Sequence, residues 1–338
     1  MNIQSFGSFH GTEIKKVRIS GGGVSADVLT WGATVADLHV PWRGETKRVT
    51  LGLKTLDDYV KYSPHMGAIA GPFANRIRDG RFELGGETYR LPRNFLGRHC
   101  LHGGDAAFGK RAWELADAQR DSVTLTIVSP DGEAGFPGNL KVTCRYALVA
   151  PATLRIALHA VTDKPTPVNL APHGYFNLDG EPTIEHHTLQ VESDFYTVLD
   201  EDSICTGEIR RVEGTPYDFR MPRSVTHKNN DGAPFPYDIN FCVRGWRAGL
   251  TRAATVRSTL SGLSMEVWSD QPGVQFYDAH KVNIPVEGIH GHAYGPRCGL
   301  CLEPQVFPNS PNISHFPDCI LRPGADLRRT TELRFAES

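Results

Sequence analysis

Glycine and proline punctuate this chain at short intervals, and that spacing limits what it can fold into more than any other feature. Thirty-four glycines and 23 prolines separate runs rich in Val, Ile, Leu, Thr, Phe and Tyr. Glycine supplies positive φ, and proline removes a backbone donor. Such a chain makes many short strands joined by turns and leaves little room for helices. The opening shows it: KVRIS, three glycines at 21–23, VSADVLTW, Gly32, and ATVADLHV ending at Pro41. RFEL and ETYRL flank Gly85-Gly86, which predicts a hairpin closed by a two-residue primed turn. Further alternating runs include SVTLTIVSP, LKVTCRYALVA, TLRIALHAV, LSMEVWSD and GVQFYDAH. One short helix is expected over residues 55–62, with Thr55 as its cap and Asp58 in the first turn. The expected class is all-β.

No repeat period, low-complexity tract or shift in composition marks a boundary, so residues 1–338 are read as a single domain. The run from about 210 to 240 reads as a long loop closed by Asp238, and such loops are often functional. A formal net charge of -2 supplies no basic field for a phosphate backbone or an anionic membrane. No nucleic-acid or membrane partner is expected. With no apolar run of signal-peptide or membrane-spanning kind, the expected compartment is the cytoplasm.

Seven scattered cysteines do not resemble a disulfide framework and read as reduced, mostly buried thiols. Cys298-Gly-Leu-Cys301 has C-x-x-C spacing, but RCGLCLEPQVF reads as a strand, on which residues three apart face opposite ways. No second such pair completes a zinc site, so no metal is expected there.

The motifs of phosphoryl transfer, hydride transfer and serine hydrolysis are absent. Four other segments concentrate polar groups among apolar neighbours. In VNLAPHGYFNLDG, His173, Tyr175 and Asn177 alternate with apolar residues and would line one face of a strand. In GLCLEPQVFPNSPN, Cys301, Glu303 and Gln305 do the same. GPFANRIRDGRF and NFLGRHCLHGG contribute Asn75, Arg76, His99 and His102, with Gly103-Gly104 permitting close backbone approach to a ligand. PYDINF and QPGVQFYD contribute Asp238, Gln275 and Tyr277. Taken singly, His173 reads more readily as a hydrogen-bonded core residue than as a functional one, and Glu303 equally well as half of a buried ion pair.

Taken together and in order, the segments resemble the galactose mutarotase (aldose 1-epimerase) family. The matching elements are Asn75-Arg76, LHGG at 101–104, HGYFNL at 173–178, DINF at 238–241, PGVQFY at 272–277 and LEPQVFP at 302–308. The likeness runs from WGATVADLHVP near residue 31 to FPDCILRPG at 316–324.

The resemblance implies a large antiparallel β-sandwich with few short helices, an open cleft for a small sugar and no cofactor. It also implies an exchange of α and β anomers of a free aldose such as galactose or glucose. In that reading Glu303 is the base and His173 the acid, kept protonated by a nearby carboxylate, while Asn75, Arg76, His102, Tyr175, Asp238 and Gln275 hold the sugar. A monomer or weak dimer is expected. The chain departs from the family pattern at Ile239, Val306 and Asn309, and these positions are expected to bear on which sugar is taken rather than on the reaction. Two other readings stay open on the residues alone. One is a sugar-phosphate epimerase with Arg76, Arg78 and Arg81 around the phosphate. The other is a non-catalytic carbohydrate-binding protein.

Overall fold

The computed structural model describes residues 2–229 and 232–337. Asn230 and Asp231, in the long run before Asp238, lie outside the described residues. Strands dominate, and Leu56–Tyr62 is the one α-helix among the described residues. Thr55 caps that helix by accepting from the Asp58 amide at 3.1 Å. The sequence 63–64, Ser-Pro, then ends it, because proline cannot continue a helix. Arg81–Leu84 and Glu87–Arg90 form the expected hairpin, and Gly85 and Gly86 both take positive φ, 64° and 84°.

Three antiparallel sheets carry the architecture. The first is a five-stranded meander from Asn2–Phe9 to Glu45–Arg48. The second has nine strands and includes Leu140–Val149, Thr153–Thr162 and Leu327–Glu337 side by side. The third runs in the order Cys205–Arg211, Phe195–Leu199, Asp238–Cys242, Gly273–Tyr277, Cys301–Gln305.

One apolar cluster joins all three sheets: Val17 and Leu38 from the first, Tyr146 and Ile156 from the second, Phe241, Phe276 and Leu302 from the third. The alternation in TLRIALHAVT explains how. Leu154, Ile156, Leu158 and Ala160 point inward while their neighbours are more exposed. Tyr146 brings its hydroxyl into this core and donates it to the Ala33 carbonyl at 2.6 Å, which satisfies the only polar atom of its side chain. Cys301–Gln305 lies at the edge of its sheet, so Pro304, which cannot donate to a ladder, sits on a strand paired on one side only.

All seven cysteines are unpaired. The C-x-x-C segment differs from expectation. The strand begins only at Cys301, Cys298 belongs to the preceding turn, and both pack into the same apolar cluster rather than on opposite faces. No helix among the described residues is long and apolar enough to cross a membrane.

Phe276 stands at the back of the third sheet, fully buried in the apolar cluster that joins the three sheets. Truncating such a side chain typically costs ~3–5 kcal/mol through lost burial and the cavity left behind. Phe276→Ala is therefore expected to lower the free energy of urea-induced unfolding by about that amount.

Candidate active site

Gln275 pairs in register with Asn240 on one side and Glu303 on the other. Side chains alternate along each strand, so Asp238 and Asn240, Gln275 and Tyr277, and Cys301, Glu303 and Gln305 share one face. Ile239, Phe241, Val274, Phe276 and Leu302 take the other face into the core. The polar face is the floor of a cleft of about 330 Å³.

Two further pieces of backbone complete the walls. The short ladder of Ala171–Pro172 with Ile69–Ala70 leads into His173, whose amide donates to the Ala68 carbonyl at 2.8 Å. The ladder of Arg76–Ile77 with Cys100–Leu101 places Asn75 and His102 just beyond its end. Both adopt left-handed backbone, φ 65° and 55°, and they lock each other. The Asn75 amide donates to His102 Nδ1 at 3.1 Å, and the His102 amide donates to the Asn75 carbonyl at 3.0 Å. Since Nδ1 is an acceptor, the neutral His102 ring carries its proton on Nε2 as a donor.

All eight residues expected from the sequence line this one cleft: Asn75, Arg76, His102, His173, Tyr175, Asp238, Gln275 and Glu303. Arg76 Nη2 donates to Asp238 Oδ2 at 2.8 Å, and Gln275 Nε2 donates to the other carboxylate oxygen at 2.6 Å. Gln305 behind them donates to Asn240 Oδ1 and Gln275 Oε1 at 3.2 and 3.3 Å. The Arg76 guanidinium also lies 4.7 Å from the centre of the Phe95 ring. Burial pushes the Asp238 carboxyl up, but Arg76 and the hydrogen bond from Gln275 outweigh it and hold Asp238 below the ordinary carboxylate range.

His173 Nε2 stands 3.6 Å from Glu303 Oε1, with the two residues only 5% and 2% exposed. His173 Nδ1 and Glu303 Oε2 find no hydrogen-bond partner among the described residues. The expectation that His173 is kept protonated is corrected here. Burial lowers its pKa to about 4, against smaller upward pulls from its own backbone and Asp238. Burial, reinforced by the Asp238 charge and only partly opposed by Arg76, raises Glu303 well above the ordinary carboxylate range. Burial thus disfavours both charged forms and favours the proton on Glu303 over His173.

Other expectations fare differently. Asn177 does not join His173 and Tyr175, because the chain leaves strand geometry after Pro172. Its side-chain amide instead donates to the Glu181 and Cys298 carbonyls, each at 2.8 Å. His99 is wholly buried, accepting from the Asp79 amide and contacting Asp202. Gly103 and Gly104 pack against Gly71-Pro72 and Pro92 rather than opening toward a ligand.

The three arginines offered as a phosphate cradle do not converge. Arg76 is held by Asp238, Arg78 by Asp200, and neither Arg78 nor Arg81 lines the cleft. Ile239 and Val306 are core residues, and buried Asn309 accepts from the Arg78 amide. None of these departures from the family pattern touches the cleft. Sequence reasoning also missed His65, Phe95, Lys110 and Lys281, all of which line it. His65 sits in a bend, Lys281 in a turn, Lys110 in a short 3-10 helix and Phe95 in an isolated bridge, so no periodicity marks them. His173, Cys301 and Glu303 form the one group of three metal-capable side chains among the described residues, with ligand atoms within 4.8 Å of one another.

A family model described as aldose 1-epimerase matches residues 15–334. Relatives named galactose mutarotase are 39% identical in Mus musculus and 36% in Homo sapiens, each over 329 residues covering 96% of this chain and 95% of the relative. A relative named aldose 1-epimerase from Escherichia coli (strain K12) is 34% identical over 322 residues, 93% of this chain and 92% of that one. Among solved structures, the GalM/aldose epimerase homologue from C. elegans superimposes with a TM-score of 0.90 at 29% identity, covering 95% of this chain and 98% of that one. The galactose 1-epimerase from Lactobacillus acidophilus NCFM gives 0.85 at 26% identity, covering 100% and 98%.

The lowered pKa of His173 has a consequence for stability. Its unfolded value is near the ordinary 6.5 and its folded value about 4, so the unfolded chain binds more protons between those limits. Stability is full above pH 6.5 and declines as pH falls toward 4, by roughly 1 kcal/mol per pH unit from this residue. Glu303, with its raised pKa, acts with the opposite sign, so the His173 contribution is read as a difference. From pH 7 to pH 4.5 the thermal stability of the wild type is expected to fall relative to that of His173→Asn.

Proposed function

Because the chain belongs to the aldose 1-epimerase family, we propose that Glu303 and His173 open and reclose the ring of a sugar held by the other cleft residues. The protein is a mutarotase, an isomerase that interconverts the α and β anomers of a free aldose. The observation that carries the residue assignment is the buried His173–Glu303 pair, 3.6 Å apart, with unpartnered polar atoms at the cleft floor.

Opening a cyclic hemiacetal removes a proton from the anomeric hydroxyl and adds one to the ring oxygen. A pair sharing one proton between an acid and a base performs both transfers. Glu303 takes the hydroxyl proton and His173 gives its proton to the ring oxygen. The aldehyde then turns about the adjacent carbon–carbon bond and recloses from its other face.

Burial favours that proton on Glu303, so it first crosses to His173. The arriving sugar's hydroxyls supply hydrogen bonds to the charged form, and the charge of Arg76 favours the carboxylate. Ring opening returns the proton to Glu303. The buried pair's preference for neutrality thereby offsets part of the cost of the open aldehyde.

His102 donates from Nε2, and Arg76, Asp238 and Gln275 form a rigid set of donors and acceptors matched to sugar hydroxyls. Asn75 and Tyr175 support them. Tyr175 stacks its ring near that of His173, centres 5.2 Å apart and 20° from parallel, and hydrogen-bonds the Pro64 carbonyl at 3.3 Å. Galactose and glucose are the aldoses we propose, acted on by a monomer or weak dimer in the cytoplasm.

Polarimetry on freshly dissolved α-galactose and α-glucose tests this. Each well-placed acid or base contributes ~10²- to 10⁴-fold, so Glu303→Gln and His173→Asn are each expected to lose about 3–5 kcal/mol of transition-state stabilisation. A Glu303→Gln protein relaxing as fast as wild type refutes the assignment of the base.

The pH profile has a definite sign. The one-proton pair is lost on the acid side when His173 also becomes protonated, near pH 4. It is lost on the alkaline side when Glu303 gives up its raised proton. A bell-shaped dependence of kcat/KM with its acid limb near pH 4 is expected.

A further inference from the structure

Cys301 is fully buried beside the acid–base pair, and the reaction has no use for it. Its thiol shares a strand face with Glu303, two residues along. The Cys301 sulfur, a His173 nitrogen and a Glu303 oxygen lie within 4.8 Å of one another. We propose that His173, Cys301 and Glu303 form an inhibitory site for a thiophilic divalent cation of the Zn²⁺ type. This rests on the reading of the pair as acid and base.

Three features support it. The donor set is one imidazole nitrogen, one thiolate and one carboxylate, the mixture that Zn²⁺ binds at ~2.0–2.3 Å. Three protein ligands leave a fourth position open, here toward the cleft. Small movements bring three atoms at the observed spacing to those distances.

The charges also balance. Thiolate and carboxylate together neutralise the dication, while His173 binds neutral through Nε2, so the buried first shell carries no net charge. Burial keeps the Cys301 thiol protonated without metal. Binding therefore releases the thiol proton, together with the proton held by Glu303, to solvent. Finally, Glu303 Oε2 is buried without a partner among the described residues, so the carboxylate is not committed to other hydrogen bonds.

A metal held there removes the base and the acid together. Arg76, Asp238 and Gln275 remain free to hold sugar, so the loss falls on turnover. A hard cation such as Mg²⁺, which prefers all-oxygen ligands, does not substitute.

The test uses the full chain freed of metal by a chelator and then titrated with Co²⁺, an optical stand-in for Zn²⁺. One equivalent should give a thiolate-to-cobalt charge-transfer band in the near ultraviolet. Zn²⁺ should displace it, and polarimetric activity should fall in step with Zn²⁺ occupancy and return with EDTA. Mg²⁺ should do neither. Cys301→Ser and Cys301→Ala should lose the band and become at least tenfold less sensitive to Zn²⁺ while still relaxing the sugar, whereas Cys298→Ser should behave as wild type.

No band in wild type, or unchanged Zn²⁺ sensitivity in a folded Cys301 variant, overturns the proposal. A band that depends on Cys301 in a protein inactive on every aldose would keep the metal site and refute the acid–base reading instead.

Discussion

Gln275 stands opposite Glu303 on one neighbouring strand and Asn240 on the other, and the cleft depends on that register. A shift of one residue in any of these three strands would turn its polar row into the core and its apolar row into the cleft. Phe241, Phe276 and Leu302 pin the register from behind, because each is buried in the apolar cluster that joins the three sheets. The sandwich thus acts as a clamp. Apolar burial on one face of the third sheet fixes, to within a hydrogen bond, where the carboxylate, amide and acid groups on the other face stand.

That precision matters because most groups of the polar face are buried. An unpaired polar group costs most where water is excluded, and the network answers this by making each member hold the next. Gln305 orients Gln275, Gln275 and Arg76 bind the two oxygens of Asp238, and Phe95 lies against the guanidinium. The left-handed backbone at Asn75 and His102 belongs to the same economy. Their reciprocal hydrogen bonds hold a conformation that costs ~1–2 kcal/mol for an ordinary residue, and in exchange the imidazole tautomer is fixed.

Much of this was legible in the sequence because strand alternation is a short-range rule. CLEPQ places Cys301, Glu303 and Gln305 on one face in the sequence as in the structure. The glycine pair at 85–86 and the Thr55 cap follow from equally local chemistry. The rule misled where the chain stops being a strand: Asn177 falls on the right parity, but a turn carries it to the Cys298 carbonyl.

His65, Lys110 and Lys281 were invisible because turns bring them to the cleft from separate parts of the chain, and no periodicity records that meeting. Ile239, Val306 and Asn309 show the converse. They interrupt a familiar motif, yet tertiary position puts all three outside the cleft. The protonation of His173 was also out of reach, since it depends on how thoroughly the fold desolvates the ring, a quantity set by residues remote in sequence.

Desolvation ties these threads together. In water, an imidazole and a carboxylate at 3.6 Å would settle as an ion pair and hold their proton firmly on the histidine. At this depth both charges are penalised, which draws the proton toward Glu303, and its return to His173 as the sugar's hydroxyls bind is what arms the pair for ring opening. The same burial makes the site costly to build. It leaves His173 Nδ1 and Glu303 Oε2 without partners among the described residues, and the neutral histidine gives stability away as the medium turns acid. The core behind the third sheet is therefore part of the catalytic apparatus, since without that much apolar burial the fold could not hold two such groups together at the floor of the cleft.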